Sequence, residues 1–561
     1  MDIPSLFMIP SAVSSGKVHS VFPNSTDADF DFNRDSDATR VNSEGLIERV
    51  GYYGSEKITN GTFDADSNWG KSSGATISNG QANIVVTGGS FQYIDQGISY
   101  VAGKEYRLTA TIQGTSGKAL RFQDNASNTG GLQVSNGTVN FNGNIQAVDI
   151  TWAANSNSNI LIIARSGAGD FSFTVDNVSV KEITGDRARL NYEIEGGLVN
   201  TKPSLLLEPQ STNVILQSQD ITTNWSRGSE PTLTSNIAVA PDGTLTADGI
   251  QANTDASFQT VRQLGISVSS NSTVSNSYFV KKETSEDAYG GFGLVFTGVS
   301  TKVFYGIVDA VNGTVTISGS NLTGTTKVED YGNYWRICAT TTDTGSNTSL
   351  GVYHYGTLSL NGTSLSAGLG SVRTIWGMQT ELNQSYCTSY IPTNGSTQTR
   401  AAETCNGAGT SSILPSEEGI LYCEIANIAN DLTNKKISIS DGTTSNSVLI
   451  FYTNVNNAIQ CKVTVGGSAS MNHYFSISDV TSFSKLALKW KANDFAIWLD
   501  GSEVHTDTSG GSFSAGTLTT VNFDRGDGGE DFYGKCRDIR VYNTKEMTDS
   551  EVDILLTKIT S

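Results

Sequence analysis

The chain of 561 residues has little charge, only 9 prolines and 4 histidines, and no long apolar run. Charged residues make up 16% of it, compared with about 25% in an average soluble domain. The 36 Lys and Arg residues are outnumbered by 55 Asp and Glu, which gives a net charge of −19. This excludes a nucleic-acid binder that works through a basic face, because phosphate neutralisation needs clustered Lys and Arg.

Membrane insertion and secretion are not expected either. A membrane span needs about 18 consecutive apolar residues, and no segment approaches that length. The N-terminus reads Met-Asp-Ile-Pro-Ser, without the basic and apolar regions of a secretory signal. The six cysteines form no C-x-x-C pair and are too sparse for a disulfide framework, so we expect buried free thiols. They are Cys338, Cys387, Cys405, Cys423, Cys461 and Cys536.

Motifs of the common catalytic sites are missing as well. The histidines are not spaced for metal binding, and H-E-x-x-H does not occur. The one G-x-S-x-G, at residues 70–74, lies in a Ser/Gly turn and not between a buried strand and a helix. We therefore expect no enzyme. A carboxylate pair for glycoside hydrolysis follows no spacing rule, so a polysaccharide-degrading enzyme stays open as a third alternative.

Glycine and turn-forming dipeptides, in contrast, are abundant. The chain has 58 glycines and thirteen Asn-Gly or Asp-Gly dipeptides, the strongest short signals for a β-hairpin. Alternating apolar and polar residues lie between them, for example at 81–87 and 106–112. Many short strands joined by such turns predict an all-β fold of tandem β-sandwich or jelly-roll domains.

One short helix is specified, at the C-terminal end. Thr548 and Glu551 have the spacing of a capping box, in which each side chain satisfies the other residue's backbone N–H. The pattern predicts a helix over about 549–557 that docks Ile554 and Leu555 on the last domain.

An ordered series of phrases resembles the virion proteins of tailed bacteriophages. Residues 29–34 read Asp-Phe-Asp-Phe-Asn-Arg, and residues 203–208 read Pro-Ser-Leu-Leu-Leu-Glu. The resemblance implies a tail fibre, spike or capsid appendage built from carbohydrate-binding-like sandwiches. The matching phrases are 29–34, 38–48, 203–213, 241–248, 331–336, 389–393 and 399–402.

The phrases and composition divide the chain into four parts. The resemblance to virion proteins implies that residues 1–55 form an N-terminal virion-attachment segment, which continues at 184–212. Residues 213–402 form a second carbohydrate-binding-like sandwich. Residues 413–561 resemble the laminin-G/concanavalin-like sandwich, through phrases such as Phe-Ala-Ile-Trp-Leu-Asp-Gly at 495–501.

Residues 56–183 resemble a carbohydrate-binding module of the galactose-binding jelly-roll type. The match rests on Asn-Gly-Thr-Phe at 60–63 and on Val-Asp-Asn-Val-Ser-Val at 175–180. This jelly roll interrupts the phage phrases, and such insertions need chain ends that lie close together. Val50 and Arg187 are therefore predicted to be near neighbours in space.

Sugar binding would use aromatic faces beside amide and carboxylate groups. In the inserted module the candidates are Trp69, Tyr93 and Trp152, with Gln92 and Asn155 as hydrogen-bonding neighbours. The alternative for each ring is a place in the core.

Calcium is the one inorganic cofactor expected, in a structural role. The resemblance to the jelly-roll modules points to Asp176 as a ligand near the last strand. Asp527, in the acidic loop 524–531, is a second candidate. A solvated turn is the alternative for both. Residues 64–70 begin like an EF-hand loop, but Trp69 stands where that loop has glycine, so an EF-hand is rejected.

The sequence thus predicts a virion-surface adhesin, assembled in the host cytoplasm, that binds a host cell-surface glycan. Its other expected partners are virion proteins, bound through residues 1–55, and copies of itself, a trimer being one arrangement. A purely structural decoration or scaffold protein of the virion, without glycan binding, is the alternative.

Overall fold

The structure is a computed structural model. It describes residues 3–14, 16–102, 104–123, 137–154, 160–185, 187–254, 258–284, 289–361, 364–367 and 372–561. Nearly all regular structure in these ranges is β, which confirms the predicted all-β class. No helix in the described part of the chain is long and apolar enough to cross a membrane.

The N-terminal segment packs into the last sandwich. Leu6 and Met8 pair with Val541 and Ile539 near the C-terminus, and Phe30 stacks against Phe523 at 5.4 Å. The apolar side of this segment is therefore already occupied within the chain. Its strands are β1 (Leu6–Met8), β2 (Val13–Ser14), β3 (Lys17–Val18), β4 (Phe30–Asn33), β5 (Thr39–Val41) and β6 (Ile47–Arg49), with a 3-10 helix at Thr26–Ala28.

The first sandwich consists of two facing antiparallel sheets. The β17 sheet has the order β15-β12-β17-β10-β9, with β7 on β17, and the β16 sheet has the order β14-β13-β16-β11-β8. The strands are β7 (Tyr52–Tyr53), β8 (Gly70–Lys71), β9 (Ala75–Ser78), β10 (Gln81–Val86), β11 (Tyr93–Gln96), β12 (Glu105–Gly114), β13 (Ala119–Gln123), β14 (Thr138–Asn140), β15 (Gln146–Ala153), β16 (Leu161–Ser166) and β17 (Phe171–Gly185).

The second sandwich has the same two-layer plan. The β35 sheet has the order β24-β25-β35-β27-β32-β31, and the β33 sheet has the order β23-β26-β33-β28-β29-β30. Strands β18 (Arg189–Asn191), β19 (Ile194–Glu195), β20 (Leu198–Val199) and β21 (Ser204–Leu207) precede it. Its own strands are β22 (Ser211–Asn213), β23 (Ser226–Gly228), β24 (Thr232–Ala238), β25 (Ala247–Gln251), β26 (Thr260–Ser267), β27 (Thr273–Lys281), β28 (Tyr289–Thr297), β29 (Lys302–Asp309), β30 (Thr314–Ile317), β31 (Gly324–Tyr331), β32 (Tyr334–Thr342), β33 (Ser349–Asn361), β34 (Ser364–Ala367), β35 (Arg373–Leu382) and β36 (Gln398–Arg400).

The last sandwich incorporates strands from the interrupted segment. Its β47 sheet has the order β18-β21-β47-β38-β43-β44-β45, with β1 on β47, and faces the sheet β42-β41-β40-β39-β46. The remaining strands are β37 (Thr404–Asn406), β38 (Gly419–Asn427), β39 (Lys435–Ser440), β40 (Ser447–Tyr452), β41 (Ala458–Val465), β42 (Ser468–Ser476), β43 (Ser484–Trp490), β44 (Phe495–Leu499), β45 (Ser502–Asp507), β46 (Thr520–Asn522) and β47 (Gly534–Asn543), followed by the helix α1 (Asp549–Thr560).

A buried ionic cluster, here called the junction, holds the parts together. It consists of Arg34, Arg189, Glu208, Arg400 and Glu403, whose side chains are at most 3% exposed. Glu403 accepts from Arg34 at 2.9 Å and from Arg189 at 2.8 Å. Glu208 accepts from Arg189 at 2.7 Å and lies 2.9 Å from Arg400. Four of the five residues come from phrases quoted for the resemblance to virion proteins or from the segment 187–192.

The chain enters and leaves the first sandwich at one point. The Arg34 guanidinium donates to the carbonyl oxygen of Val50 at 2.9 Å and to that of Arg187 at 3.0 Å. The two carbonyls therefore lie on either side of one side chain, which is the geometry that an inserted domain requires.

Local turn and cap signals have mixed outcomes. Asn79-Gly80 and Asp500-Gly501 adopt the positive φ values of hairpin turns, as predicted. Asp248-Gly249 instead lies inside β25, where the Asp248 carboxylate accepts from the backbone N–H groups of two other segments. The prediction of a turn there is wrong, because tertiary hydrogen bonds hold this dipeptide extended.

The predicted helix forms, but the face that it buries against the last sandwich differs from the prediction. Thr548 caps α1, and its side chain and that of Glu551 make the reciprocal bonds of a capping box. Leu555 is buried as expected, but Ile554 is 63% exposed. The buried stripe of α1 passes through Val552, Leu555 and Leu556 at helical spacing, which leaves Ile554 in solvent. The six cysteines are free thiols; Cys387 is half-buried and the rest are buried.

Candidate glycan-binding surface

The structure places two of the three predicted sugar-contact rings in the core of the first sandwich. Trp69 is 6% exposed, stacks on Phe63 at 5.1 Å and donates its indole N–H to the Asn60 carbonyl at 2.9 Å. Trp152 is 3% exposed and packs between Tyr100 and Tyr106, each at 5.6 Å. Their ring faces are covered by protein, so both residues are corrected from ligand platform to core.

Tyr93 has a different environment, on the outer face of the β16 sheet. Its neighbour Ile94 is fully buried, and strand alternation turns Tyr93 to the opposite side. Tyr93, Ala164 and Arg121 occupy one cross-strand row. Ala164 has no exposed surface although it is on this outer side, so the larger side chains around it cover it.

A second ring and two arginines complete this surface, which we call the Tyr93 face. Phe91 is 43% exposed and lies 5.5 Å from the Tyr93 ring. The guanidinium carbons of Arg121 and Arg165 lie 5.6 Å and 6.0 Å from the Phe91 centroid, within the range of cation–π interactions. Arg165 also donates to the Gly89 carbonyl at 2.7 Å, which ties its side chain to the turn before β11.

The electrostatics of the Tyr93 face follow from this crowding. Burial lowers the pKa of the Arg121 guanidinium, and the nearby positive charge of Arg165 lowers it further. Burial raises the pKa of the Asp95 carboxyl, which projects from the same side of β11 as Tyr93. The face thus combines two aromatic rings with positive charge and one weakened acid.

The predicted hydrogen-bonding neighbours do not join this face. Gln92 is 6% exposed, and its amide oxygen accepts from the Gly74 backbone N–H at 2.7 Å. It points into the sandwich, since it alternates with Phe91 and Tyr93 along the strand. Asn155 lies outside the described residues.

The two predicted calcium ligands lie in different sandwiches, in β17 and in the loop before β47. The Asp176 carboxylate accepts from the backbone and side-chain nitrogens of Asn177, at 2.6 Å and 3.1 Å. Asp527 forms a two-point ion pair with Arg525, and these bonds lower the pKa of its carboxyl. Among the described residues, no group of three or more His, Cys, Asp or Glu is arranged to hold a metal ion. Calcium at either residue stays a prediction.

Comparisons with known proteins add little about the role of these residues. No family model and no curated protein matches the chain. One similar solved structure is the CBM40 of the Ruminococcus gnavus IT-sialidase bound to alpha2,6 sialyllactose, at 14% identity over 27% of this chain and 87% of that chain, with a TM-score of 0.21. Another is the tandem CBM22-1-CBM22-2 domain of Paenibacillus barcinonensis Xyn10C, at 8% identity over 60% of this chain and 98% of that chain, with a TM-score of 0.23. Neither structure assigns a role to a residue of this chain.

Sequence reasoning missed Phe91, Arg121 and Arg165. The alternation Phe91-Gln-Tyr93-Ile carries a usable signal, because a buried Ile94 places residues 91 and 93 on the opposite side together. The arginines come from β13 and β16, which are distant in sequence. The register of the sheet places Arg121 in the row of Tyr93, whereas Arg165 pairs with the buried Leu120 and comes near Phe91 only at the end of β16.

Proposed function

We propose that the chain is a virion appendage protein of a tailed bacteriophage that adheres to a host-surface glycan through the Tyr93 face. The observation that carries glycan binding is the pair of rings formed by the exposed Phe91 and the half-buried Tyr93, flanked by two guanidinium groups. Aromatic rings with a polar handle suit ligands that have an apolar face and hydroxyl edges, as pyranose rings do. The phage assignment rests on the ordered sequence phrases.

The same proposal places the protein on the virion surface as a homo-oligomer with other virion proteins as partners. Antibodies against the chain should then label intact particles of the phage that encodes it. Absence of labelling on purified particles would contradict this part of the proposal. It would not test glycan binding by the Tyr93 face.

A scaffold without glycan binding is the second candidate function, and the junction favours it. Five charged side chains are fully enclosed to join the N-terminal segment to the sandwiches. A cluster of buried ion pairs suits a rigid spacer, because its domains must keep one arrangement relative to each other. The two candidates differ only in whether the outer faces bind a ligand.

Catalysis is not part of the proposal. A cleft of about 360 Å³ between the second and last sandwiches is lined by two carboxylates, Glu208 and Glu329. Burial tends to raise the pKa of each, but neighbouring cations outweigh it and hold both at about 2. A glycosidase needs one carboxyl with a raised pKa to donate a proton. This pair lacks such a donor.

Three hydrogen-bonded side chains near the N-terminus resemble a catalytic site, but we infer a structural role for them. Ser14 Oγ lies 2.8 Å from His19 Nε2, and His19 Nδ1 lies 2.8 Å from the Asp29 carboxylate, the connectivity of a Ser-His-Asp triad. Asp29 also accepts from the backbone N–H of Ser20 at 2.8 Å. We infer that the trio fastens the β2–β3 hairpin to the segment before β4.

A fluorophosphonate probe tests that account. The intact protein should give no adduct at Ser14 by peptide mass spectrometry, while a serine hydrolase in the same tube is labelled. A Ser14 adduct that disappears in His19→Ala would contradict the non-enzymatic proposal.

Glycan-array binding with and without Ca²⁺ tests adhesion. The wild type should bind a subset of glycans, and Tyr93→Ala should lose most of that signal, because the ring supplies the stacking surface. Tyr474→Ala, at a 65% exposed tyrosine on the last sandwich, is the matched control. Silence of the wild type on the whole array, with calcium present, would favour the scaffold function.

A further inference from the structure

The outer face of the β33 sheet, in the second sandwich, carries a second group of aromatic residues. Along β33, Val352 and His354 have no exposed surface and point into the core. Tyr353 and Tyr355 alternate with them and therefore point outward, where they are half-exposed. On β29, Tyr305 is half-exposed beside the buried Phe304 and lies on the same outer side.

The rings on this surface meet at right angles. Tyr355 lies 6.3 Å from Tyr305 at an interplanar angle of 82°, and 5.9 Å from Phe258 at 85°. Phe258 is 44% exposed. Two corners result, each made by the face of one ring and the edge of another.

Glycines provide the space in which these rings lie. A Cβ atom at Gly293 would come within 2.7 Å of the Tyr305 ring, and one at Gly351 within 2.9 Å of the Tyr353 ring. Neither glycine has a positive φ, so backbone conformation does not require them. What requires them is the close approach of each ring to a neighbouring backbone, so the rings occupy the space above these glycines. We call the surface that Tyr305, Tyr353, Tyr355 and Phe258 form the β33 face.

Hydrogen-bonding groups border the β33 face. The Arg262 guanidinium lies 5.8 Å from the Tyr353 ring, and its Nε is buried without a hydrogen-bond partner. Among the described residues, no carboxylate lies within ion-pair distance of Arg262. Burial raises the pKa of Tyr305 and of Tyr355, so both hydroxyls stay protonated and can donate as well as accept.

We propose that the β33 face, with Arg262 at its side, is a second glycan-binding site, specific for uncharged oligosaccharides. The ring faces would stack on the C–H faces of successive pyranose units, and the solvent-facing part of the Arg262 guanidinium and the tyrosine hydroxyls would hydrogen-bond to their hydroxyls. The site lies in a different sandwich from the Tyr93 face and does not depend on it. Two sites on one chain would raise the avidity for a polymeric glycan beyond the affinity of either.

Affinity electrophoresis of the full chain tests the proposal, in gels that contain a mixed-linkage β-glucan, a xylan, a mannan or alginate. At least one neutral polysaccharide should retard the wild type, and Tyr353→Ala should weaken that retardation by about tenfold, as expected for a central aromatic contact. Tyr474→Ala should migrate like the wild type. Thermal unfolding shows whether each variant is folded.

Three outcomes would overturn the proposal. They are no retardation by any of the neutral polymers, retardation by alginate alone, and retardation that Tyr93→Ala abolishes but Tyr353→Ala leaves unchanged. The last outcome would assign binding to the Tyr93 face, so failure of this site and failure of the first are distinguishable. If Tyr353→Ala does not fold, Arg262→Met, which changes only the border of the β33 face, must weaken binding instead.

Discussion

The junction and the two outer faces use arginine in opposite ways. In the junction, Arg34 and Arg189 are completely buried, and each is matched to a glutamate at hydrogen-bond distance. On the outer faces, Arg165 and Arg262 lie over aromatic rings and keep part of their surface in solvent. Buried ion pairs define how parts of a chain fit together, because leaving one partner unpaired is costly. Exposed guanidinium groups beside rings remain available to a ligand.

The largest expected effect comes from removing one charge of the junction. Glu403→Gln leaves Arg34 and Arg189 facing a neutral amide, and it should lower the free energy of unfolding by about 3–5 kcal/mol. Chemical denaturation measures the change. Glu417→Gln is the control, because Glu417 pairs with Lys545 on the surface and should matter by at most about 1 kcal/mol. Equal effects of the two substitutions would contradict the contrast between junction and surface.

Trp152→Ala separates core from face within the first sandwich. Loss of this buried indole should destabilise the sandwich by about 3–5 kcal/mol. Tyr93→Ala should change stability by about 1 kcal/mol or less while it removes glycan binding. Circular dichroism during thermal unfolding follows the first effect and the glycan array the second. A Trp152→Ala variant that stays stable and loses only glycan binding would show that Trp152 contacts the ligand and is not a core residue.

The junction should also make stability depend on acid pH. Burial would raise the pKa of Glu208, but Arg400 and Arg189 lower it to about 2 from its ordinary 4.5. A carboxylate with a depressed pKa contributes stability above its unfolded pKa, and that contribution is lost as the pH falls through the folded value. The wild type should therefore lose stability between about pH 5 and pH 2 more steeply than Glu208→Gln. Parallel curves of denaturation midpoint against pH would contradict this.

The smallest expected effect is on the Tyr93 face. Arg165→Met keeps the apolar stem but removes the charge over Phe91, and should weaken glycan binding about 2- to 5-fold, the range of an exposed cation–π contact. Stability should stay within about 1 kcal/mol of the wild type. Titration with a glycan identified on the array measures the affinity. A loss of folding comparable to that of Glu403→Gln would place Arg165 with the junction arginines.

Expectations that depend on neighbours in sequence held best. The hairpin at Asn79-Gly80 and the cap at Thr548 use contacts within three residues of chain, so the local pattern contains all that decides them. Asp248-Gly249 failed because its carboxylate bonds to Ile221 and Asn236, which lie in other segments. The site predictions were weaker for the same reason. Composition cannot distinguish the buried Trp152 from the outward-facing, half-buried Tyr93 before the sheet register is known.

By itself, the sequence determined the all-β class, the turns that join the strands and the capped C-terminal helix, since short-range backbone chemistry specifies each of these. The tertiary structure alone decided which charges are buried and which rings face solvent. Arg34 and Glu403 are 369 residues apart in sequence, yet 2.9 Å apart in the fold. No local pattern encodes such a pair, because the low-dielectric environment that makes it matter exists only once all the surrounding segments have packed.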